Sequence, residues 1–193
     1  HVTLMRLLLG FNGPPGCGKD TAADHLVAEH GFTRVAFADP IRLAALGLDP
    51  LIGPGVRLSE IVAAHGWEQT KLDWPEARRI LQALGTEAGR QIHGAHVWVS
   101  HAFDKINSLP PDMPVVITDV RFGNEAAALR RCHGTLIHLR RPSATSDHAV
   151  MAHSSETESA AITADISIPN NGTLNDLNRR LDRLVYRLSK RSY

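Results

Sequence analysis

A glycine-rich turn lies between an apolar run and a helical pattern near the start of this 193-residue chain. The apolar run (residues 4–11) predicts a strand that is buried on both faces, and residues 19–30 predict an amphipathic helix. Between them, Gly13, Gly18 and Lys19 match the spacing G-x-x-x-x-G-K, in which backbone N–H groups, a helix N-terminus and an ammonium group bind a phosphate together. This stretch therefore predicts an α/β fold built around a phosphate-binding loop.

The residue after the lysine is Asp20, at a position where such loops normally have a serine or threonine that binds Mg²⁺. A carboxylate is also a ligand of Mg²⁺, and the helix dipole favours a negative charge at this position. Asp20 is therefore predicted to lie near the metal, and the hydroxyl of Thr21 near a phosphate. The alternative is that Asp20 only caps the helix and that the loop is a plain connector.

The composition is that of one globular domain with a full-sized core. Apolar residues make up 43% of the chain, and 21 basic residues nearly balance 20 acidic ones. This balance argues against a general surface for nucleic acid or membrane. Two cysteines imply no disulfide framework, and no segment is long and apolar enough to span a bilayer. We therefore expect a cytoplasmic protein without a nucleic-acid or membrane partner.

Four further apolar segments predict strands, with helical patterns between them. They lie at residues 33–37, 114–119, 134–139 and 165–168. This alternation is typical of a doubly wound three-layer α/β/α fold with five parallel strands, in which ligands bind beyond the carboxyl ends of the strands. Asp119 ends one predicted strand, where it is placed to meet Mg²⁺ or to orient a substrate, and Arg140 follows another. The alternative role of Asp119 is to cap the helix that follows it.

A strong helical pattern at residues 75–93 carries two stripes of side chains. The apolar stripe consists of Ile80, Leu81, Leu84, Ala88 and Ile92, and the polar one of Arg79, Gln82, Thr86 and Arg90. Gly85 and Gly89 lie beside the polar stripe, and each costs about 1 kcal/mol relative to alanine inside a helix. Glycines beside cationic residues favour the close approach of an anionic ligand to the backbone. A solvated face with incidental glycines is the alternative.

The remaining predicted elements are a helix from Asp39, a loop at 49–56, a helix at 58–65, a helix at 97–109 and a helix at 174–188. Asp39 is the predicted N-cap of the first of these helices, and Pro40 its first helical residue. Trp98 lies on a stripe that is more typical of a core than of a base-stacking surface. Thr173 is predicted to cap the last helix.

Residues 143–159 are small, polar and weakly periodic, so they predict a mobile excursion from the sheet. His148 and His153 lie in this segment, and His93 and His96 lie earlier in the chain. No CxxC or HExxH spacing accompanies these histidines. A structural zinc site is therefore not expected from the sequence.

Several of these motifs resemble, in order and spacing, those of the phage deoxynucleoside monophosphate kinases. They are GPPGCGKDTAAD, FADPIR, RRILQALGTEAGR, VITDVRFGNEAAALR, the RRP before residue 143, and NNGTLNDL. The motifs cover nearly the whole chain, and Gly-Lys-Asp-Thr is itself a feature of that family. The resemblance implies a P-loop kinase that moves the γ-phosphate of ATP, with Mg²⁺, to a deoxynucleoside monophosphate (dNMP).

The resemblance also implies a role for each matching residue. The residues that bind ATP would be Gly13, Gly16, Cys17, Gly18, Lys19, Asp20, Thr21, Asn171, Gly172 and Thr173. The residues that bind dNMP would be Ala38, Asp39, Pro40, Arg42, Arg78, Arg79, Gln82, Thr86, Arg90, Trp98 and Arg121. The catalytic residues would be Lys19, Asp119, Arg121 and Arg140, and the metal ligands Asp20 and Asp119.

The implied organisation is one P-loop kinase domain over residues 1–193. Its core would comprise residues 4–37, 114–140 and 165–190, its NMP-binding region residues 38–112, and its lid residues 141–160. The residues do not indicate which bases are accepted, how ribose is excluded, or whether the chain forms a homodimer. Roles for His148, His153 and Glu156 of the lid are equally open.

Two other functions share parts of this pattern. Another small-molecule kinase of the same fold, such as a phosphomevalonate or dephospho-coenzyme A kinase, would share the loop, the lid and the adenine turn, but not the RRxxQALGT helix. A non-enzymatic nucleotide-binding module would leave the polar stripe of residues 79–90 without a ligand. Both alternatives are disfavoured by that helix.

Overall fold

The computed structural model describes residues 6–142, 159 and 161–190, so most of the predicted lid lies outside the described residues. In chain order the elements are β1 (Leu8–Asn12), α1 (Lys19–His30), β2 (Thr33–Val35), α2 (Asp39–Leu48), β3 (Leu51–Gly53), β4 (Val56–Arg57), α3 (Leu58–Asp73), α4 (Pro75–Gln82), a π-helix (Ala83–Arg90), α5 (Gln91–His93), α6 (Val97–Ser108), β5 (Val115–Ile117), α7 (Gly123–Arg131), β6 (Thr135–Arg140), β7 (Ile166–Pro169) and α8 (Leu174–Ser189). The chain divides into two compact units, residues 1–36 with 103–193 and residues 37–102. Among the described residues, none of the helices combines the length and the apolar character that a membrane span requires.

The first unit contains a five-stranded sheet in the order β2-β5-β1-β6-β7, and every pair of neighbouring strands is parallel. Parallel strands joined by helical connections leave helices on the faces of the sheet. The predicted doubly wound α/β/α fold with five parallel strands is therefore confirmed. Each predicted strand is present, although its ends are displaced by a few residues because strand ends are set by pairing rather than by composition.

The central strand β1 is buried along its whole length. Its side chains alternate between the two faces of the sheet. Leu9 and Phe11 join an apolar core with Leu26 of α1 and Leu181 of α8. On the opposite face, a Cβ on Gly10 would lie 2.6 Å from Leu129 of α7. The sheet thus holds the carboxyl end of β1, and the glycine-rich loop that follows it, between two layers of helices.

The second unit has its own apolar core, which includes Ala45, Ile52 and Leu58. The prediction of a loop at residues 49–56 is wrong, because β3 and β4 pair there as an antiparallel hairpin. Gly55 makes the tight turn with a φ of 72°, and the hairpin buries the side chain of Ile52 in the core. A short apolar run bounded by glycine and proline is typical of a loop and of a small hairpin alike.

The structure tests two helix boundaries that were predicted in the second unit. Helix α2 begins at Asp39 with Ala38 as its N-cap, and no side chain caps it, so the capping role predicted for Asp39 is wrong. Pro40 is the second residue of the helix rather than the predicted first one, and it still lies in the first turn. The helix predicted at residues 58–65 is present, and Gly66, with a φ of 75° and a ψ of 167°, is non-helical and separates it from a second helical stretch that ends at Asp73. Glycine tolerates that conformation, so α3 consists of two helical stretches with a kink between them.

The helical pattern at residues 75–93 is present but not uniform, since a π-helix lies between α4 and α5. In a π-helix each N–H group bonds five residues back, so later side chains are rotated relative to an α-helix. Ile92, predicted on the apolar stripe, is accordingly 72% exposed. Gly85 and Gly89, predicted beside the polar stripe, are buried. The predicted apolar stripe is therefore wrong beyond Leu84, since Ala88 is exposed as well.

Candidate active site

The glycine-rich loop leaves β1 at its carboxyl end and enters α1 at Lys19. Gly13 has a φ of 141°, and a Cβ at this position would lie 2.5 Å from the carbonyl oxygen of Leu139 on β6. Only glycine therefore fits at this point of the loop. Gly18, with a φ of 100°, is the N-cap of α1, and no side chain caps the helix. A helix start of this kind attracts an anion such as a phosphate.

The ammonium group of Lys19 lies over this loop. Its Nζ donates to the carbonyl oxygens of Gly13, at 2.7 Å, and Pro14, at 2.9 Å. The Sγ atom of Cys17 lies 3.7 Å from the same nitrogen, but the cysteine is fully buried. The loop thus holds one cation at the N-terminus of α1, and Cys17 serves as a small buried residue of the loop.

Asn170 connects the glycine-rich loop to the turn after β7 by hydrogen bonds. It is not among the predicted site residues. Its Nδ2 donates to the carbonyl oxygen of Cys17 at 3.0 Å, and its backbone N–H donates to that of Arg140 at 2.6 Å. A Cβ on Gly18 would lie 2.5 Å from the same Nδ2 atom. Asn170 therefore brings the phosphate loop, the end of β6 and the turn that starts at Asn171 together.

The structure does not support a capping role for Asp20. The N-cap of α1 is Gly18, and Asp20 is the second residue of the helix. Its carboxylate pairs instead with Arg34 on β2, which also lies 3.3 Å from Asp24. The side chain of Asp20 is 65% exposed. An exposed ion pair contributes about 0–1 kcal/mol, so another cation can displace Arg34 at little cost.

The segment that follows β5 holds Asp119 and Arg121. Helix α7 begins at Gly123 with Phe122 as its N-cap, so Asp119 does not cap it. The buried carboxylate of Glu125 accepts hydrogen bonds from the backbone N–H groups of Arg121, at 2.7 Å, and of Phe122, at 3.1 Å. This carboxylate fixes the backbone around Arg121. Glu125 was also missing from the predicted site.

A polar pair at the ends of β1 and β6 was likewise not predicted. The Oδ1 atom of Asn12, which is almost fully buried, lies 2.7 Å from Nδ1 of His138. The Nδ2 atom of Asn12 donates to Val120 O at 3.1 Å and to Ser159 Oγ at 2.8 Å. Burial lowers the pKa of His138, and the charges of Arg140 and Lys19 lower it further. The neutral ring therefore lies within the electrostatic reach of two predicted catalytic cations.

His138 predicts a pH dependence of stability. Because its pKa is lowered in the folded chain, the unfolded chain binds more protons there once the pH falls below about 6.5. The stability contributed by the neutral ring is present above that pH and is lost as the pH falls through the lowered pKa. We expect the denaturation midpoint to fall less between about pH 7.5 and about pH 5.5 in His138→Gln than in the wild type. Equal falls in the two proteins would contradict the assignment.

In the second unit, two of the predicted dNMP-binding arginines are paired with glutamates. The guanidinium of Arg79 donates from Nε and Nη2 to Glu76, at 2.8 and 2.6 Å, and this hydrogen bonding raises the pKa of Arg79. Arg42 donates to Glu68 at 3.2 Å and lies 5.8 Å from the ring centroid of Trp67. Both glutamates hold the cations in place by exposed, exchangeable contacts.

The close approach expected at Gly85 and Gly89 is made by Trp98. The indole Nε1 of Trp98 donates to the carbonyl oxygen of Gly85 at 2.7 Å, and a Cβ on Gly89 would overlap the ring. Trp98 is 9% exposed. The prediction that these glycines admit an anionic ligand to the backbone is therefore wrong. Trp98 packs as a core residue, and its contact with dNMP stays a prediction from the resemblance.

The other predicted dNMP-binding residues of this unit lie on two segments. Ala38 and Asp39 lie at the start of α2, with Pro40 and Arg42 in its first turns. Along the later helices, Arg78 and Gln82 are exposed, and Thr86 and Arg90 are half-buried. The guanidinium of Arg90 lies 3.5 Å from the carbonyl oxygen of Ala95.

Comparisons with known proteins bear on this arrangement. Residues 59–181 match the protein family described as deoxynucleotide monophosphate kinase. A protein of Acanthamoeba polyphaga mimivirus, provisionally named a deoxynucleotide monophosphate kinase, is 33% identical over 88% of this chain and 91% of its own. The deoxynucleoside-5'-monophosphate kinase of Escherichia phage T5 is 45% identical over 65% of this chain and 72% of its own. Among solved structures, dephospho-CoA kinase from Campylobacter jejuni aligns with 98% of this chain and 100% of its own, at a TM-score of 0.48 and 16% identity.

Proposed function

This chain belongs to the deoxynucleotide monophosphate kinase family, and we propose that it transfers the γ-phosphate of ATP to a dNMP, giving a deoxynucleoside diphosphate and ADP. The observation that carries the proposal is the position of Lys19. Its ammonium group is held by two carbonyl oxygens over a glycine-rich loop, at the N-terminus of α1. That arrangement binds the β- and γ-phosphates of a nucleoside triphosphate.

The ATP-binding residues of the proposal lie in the first unit. The loop from Gly13 to Thr21 would contact the phosphates, and the turn Asn171-Gly172-Thr173 would border the adenine. The hydroxyl of Thr173 already accepts the N–H of Asp176 at 3.2 Å, in a capping box at the start of α8. Hydrogen bonds from Thr173 also lower the pKa of Asp176 to about 2. The turn would therefore face the base through its backbone rather than through this hydroxyl.

The carboxylates of Asp20 and Asp119 suit the Mg²⁺ that such kinases use with ATP. Hard oxygen ligands are the donors that Mg²⁺ prefers, and it retains several waters besides one or two carboxylates. Asp20 and Asp119 would hold the Mg²⁺, which would supply positive charge to neutralise the negative charge that develops during transfer. Asp119 lies just past the carboxyl end of β5, and Asp20 would exchange its exposed contact with Arg34 for the metal.

Asp20→Ala tests this metal role directly, because a serine at this position could itself bind Mg²⁺. We expect the variant to bind ATP but to need roughly tenfold more Mg²⁺ for half-maximal turnover, because it loses a charged oxygen ligand. Asp24→Ala is the matched control, since Asp24 also contacts Arg34 but lies further along α1. The Mg²⁺ dependence of initial rates distinguishes them. An unchanged Mg²⁺ midpoint in Asp20→Ala would show that this carboxylate serves only in the ion pair.

The dNMP would be bound by the second unit. Arg79 and Arg42 are held by Glu76 and Glu68, and a phosphate offers the guanidinium groups more negative charge than a carboxylate does. The 5'-phosphate is therefore expected to replace the glutamates as their partner. Gln82, Thr86 and Arg90 would complete the set of dNMP contacts.

Phosphoryl transfer requires positioning and charge neutralisation more than covalent chemistry. Lys19, Arg121 and Arg140 would spread the negative charge of the transferring group in the transition state. The backbone of Arg121 is already fixed by Glu125, so this part of the site is organised before the substrates bind. We propose direct transfer between the substrates, with no covalent enzyme intermediate.

The test is ADP release, coupled to a readout, with ATP and each of the four dNMPs, their ribonucleotide forms, phosphomevalonate and dephospho-coenzyme A. Turnover that depends on at least one dNMP is expected. ADP release that only a non-nucleotide acceptor stimulates would contradict the assignment. So would ATP binding without stimulation by any acceptor, which is the behaviour of a nucleotide-binding module.

A further inference from the structure

Two histidines and an aspartate converge where α1 packs on α8, and none of the three is among the residues proposed for ATP or dNMP. The Nε2 atom of His25 lies 2.7 Å from Oδ1 of Asp182, and that of His30 lies 2.8 Å from the same oxygen. One ligand atom of each residue lies within 4.8 Å of the other two. We propose that His25, His30 and Asp182 form a binding site for a transition-metal cation of the Zn²⁺ class.

The donor set selects the kind of cation. Two imidazole nitrogens and one carboxylate oxygen are ligands of Zn²⁺ and its first-row neighbours, whereas Mg²⁺ takes oxygen ligands almost alone. Three protein ligands leave the fourth tetrahedral position to water. Asp182 is 47% exposed and opens the cluster to solvent, while the rings of His25 and His30 are 12% and 24% exposed. The site is therefore chemically distinct from the Mg²⁺ site proposed beside the phosphate loop.

Small movements of side chains suffice to admit the cation. Zn²⁺ bonds of about 2.0–2.1 Å in a tetrahedron place neighbouring ligand atoms roughly 3.3 Å apart, compared with 2.7 and 2.8 Å here. The two histidine rings stand at 75° to each other with centroids 5.8 Å apart, so their nitrogens reach the aspartate from different directions. The helices themselves are anchored by one apolar core that includes Leu26 and Leu181.

Binding exchanges hydrogen bonds for metal bonds. Each Nε2 that now shares a proton with Asp182 would direct its lone pair to the cation. That proton would move to Nδ1 of the same ring or, from a protonated ring, to solvent. The result would tie α1, whose first residue is Lys19, to α8. Since the unfolded chain lacks this geometry, the cation would raise the melting temperature as its concentration rises.

The experiment uses the full chain without an affinity tag and without nucleotide, so its outcome does not depend on kinase activity. Calorimetric titration with Zn²⁺, and visible absorption after Co²⁺ addition, are run on the wild type, His30→Ala and Asp182→Asn. His93→Ala is the matched control, because His93 is an exposed histidine of the second unit. We expect one Zn²⁺ per chain, with affinity at least roughly tenfold weaker in both site variants and unchanged in the control.

Two results would overturn the proposal. One is the absence of stoichiometric Zn²⁺ binding to the wild type, and the other is binding that both site variants retain. If either variant fails to fold, nitrogen-15 NMR of the wild-type histidine rings decides instead. The Nε2 signals of His25 and His30 are expected to shift on Zn²⁺ addition and to keep their positions in excess Mg²⁺. Shifts confined to other histidines would place the cation elsewhere.

Discussion

Lys19→Ala is expected to lower kcat by a factor of at least about 100, with the fold intact. Removing one preorganised group that stabilises transition-state charge costs about 10²–10³ in rate in other enzymes, and Lys19 carries a full charge. In the structure its ammonium group contacts only loop atoms among the contacts described, the carbonyl oxygens of Gly13 and Pro14 and the sulfur of Cys17. Its loss should therefore affect phosphate binding and transfer much more than the free energy of unfolding.

The measurement is steady-state turnover with ATP and the dNMP that the acceptor panel identifies, together with thermal denaturation. Lys190→Ala is the matched control, because this lysine lies at the end of α8 over the ring of Tyr186. The control should retain the wild-type kcat and nearly the wild-type melting temperature. A Lys19→Ala protein with wild-type turnover would disprove the proposed role of the loop.

The fold could be predicted from the sequence because its strongest signals are local. The apolar runs that became β1, β5 and β6 are short and bounded by turn residues, and helical patterns separate them. The loop motif places a strand before Gly13 and a helix after Lys19, which is what the structure has. These elements could be predicted because the apolar residues of each segment indicate which of its faces is buried.

The polar contacts that organise the candidate site could not be predicted in the same way. Asn12 and His138 lie 126 residues apart in the chain and meet only because β1 pairs with β6. Asn170 contacts Cys17 of the phosphate loop, which lies 153 residues earlier in the chain. A hydrogen bond between distant residues depends on sheet order and register, which no local pattern of side chains specifies.

The cluster of His25, His30 and Asp182 also depends on a contact between residues that are distant in the chain. The sequence argument against a structural zinc site rests on the lack of CxxC or HExxH spacing beside His93, His96, His148 and His153, and it does not consider His25 and His30. His25 and His30 lie five residues apart on α1, but the third ligand comes from α8. Helix packing in the core, rather than spacing in the sequence, brings the three groups together.

The π-helix departs from the α-helical period of 3.6 residues that was assumed for residues 75–93. A period of 3.6 residues places Ile92 under the same stripe as Ile80, but hydrogen bonds to the fifth residue back rotate everything after Ala83. The carbonyl oxygen of Gly85 then accepts a hydrogen bond from Trp98, and Gly89 faces the ring of Trp98. The indole explains Gly89, because it occupies the space that a side chain there would need, whereas a Cβ on Gly85 would lie 3.2 Å from Cδ1 of Ile41.

Gly89→Ala is accordingly expected to destabilise the second unit. A Cβ at this position would overlap the ring of Trp98 and lie 2.7 Å from the carbonyl oxygen of Leu84, which belongs to the helix backbone and cannot move away. Overpacking of this kind lowers the free energy of unfolding by about 1–3 kcal/mol. The better helix propensity of alanine raises it by at most about 1 kcal/mol. The net effect should be a lower denaturation midpoint.

Gly47→Ala is the matched control, because Gly47 lies in α2 of the same unit and a Cβ there would meet nothing within 4 Å. That variant should be as stable as the wild type or more stable, since only the propensity gain applies. Adding Trp98→Phe to Gly89→Ala should relieve part of the loss, because a smaller ring leaves room for the new methyl group. If Gly89→Ala were as stable as the wild type, with no such coupling, the indole would not be what requires glycine here. The interpretation of this helix as a ligand-facing surface would then return.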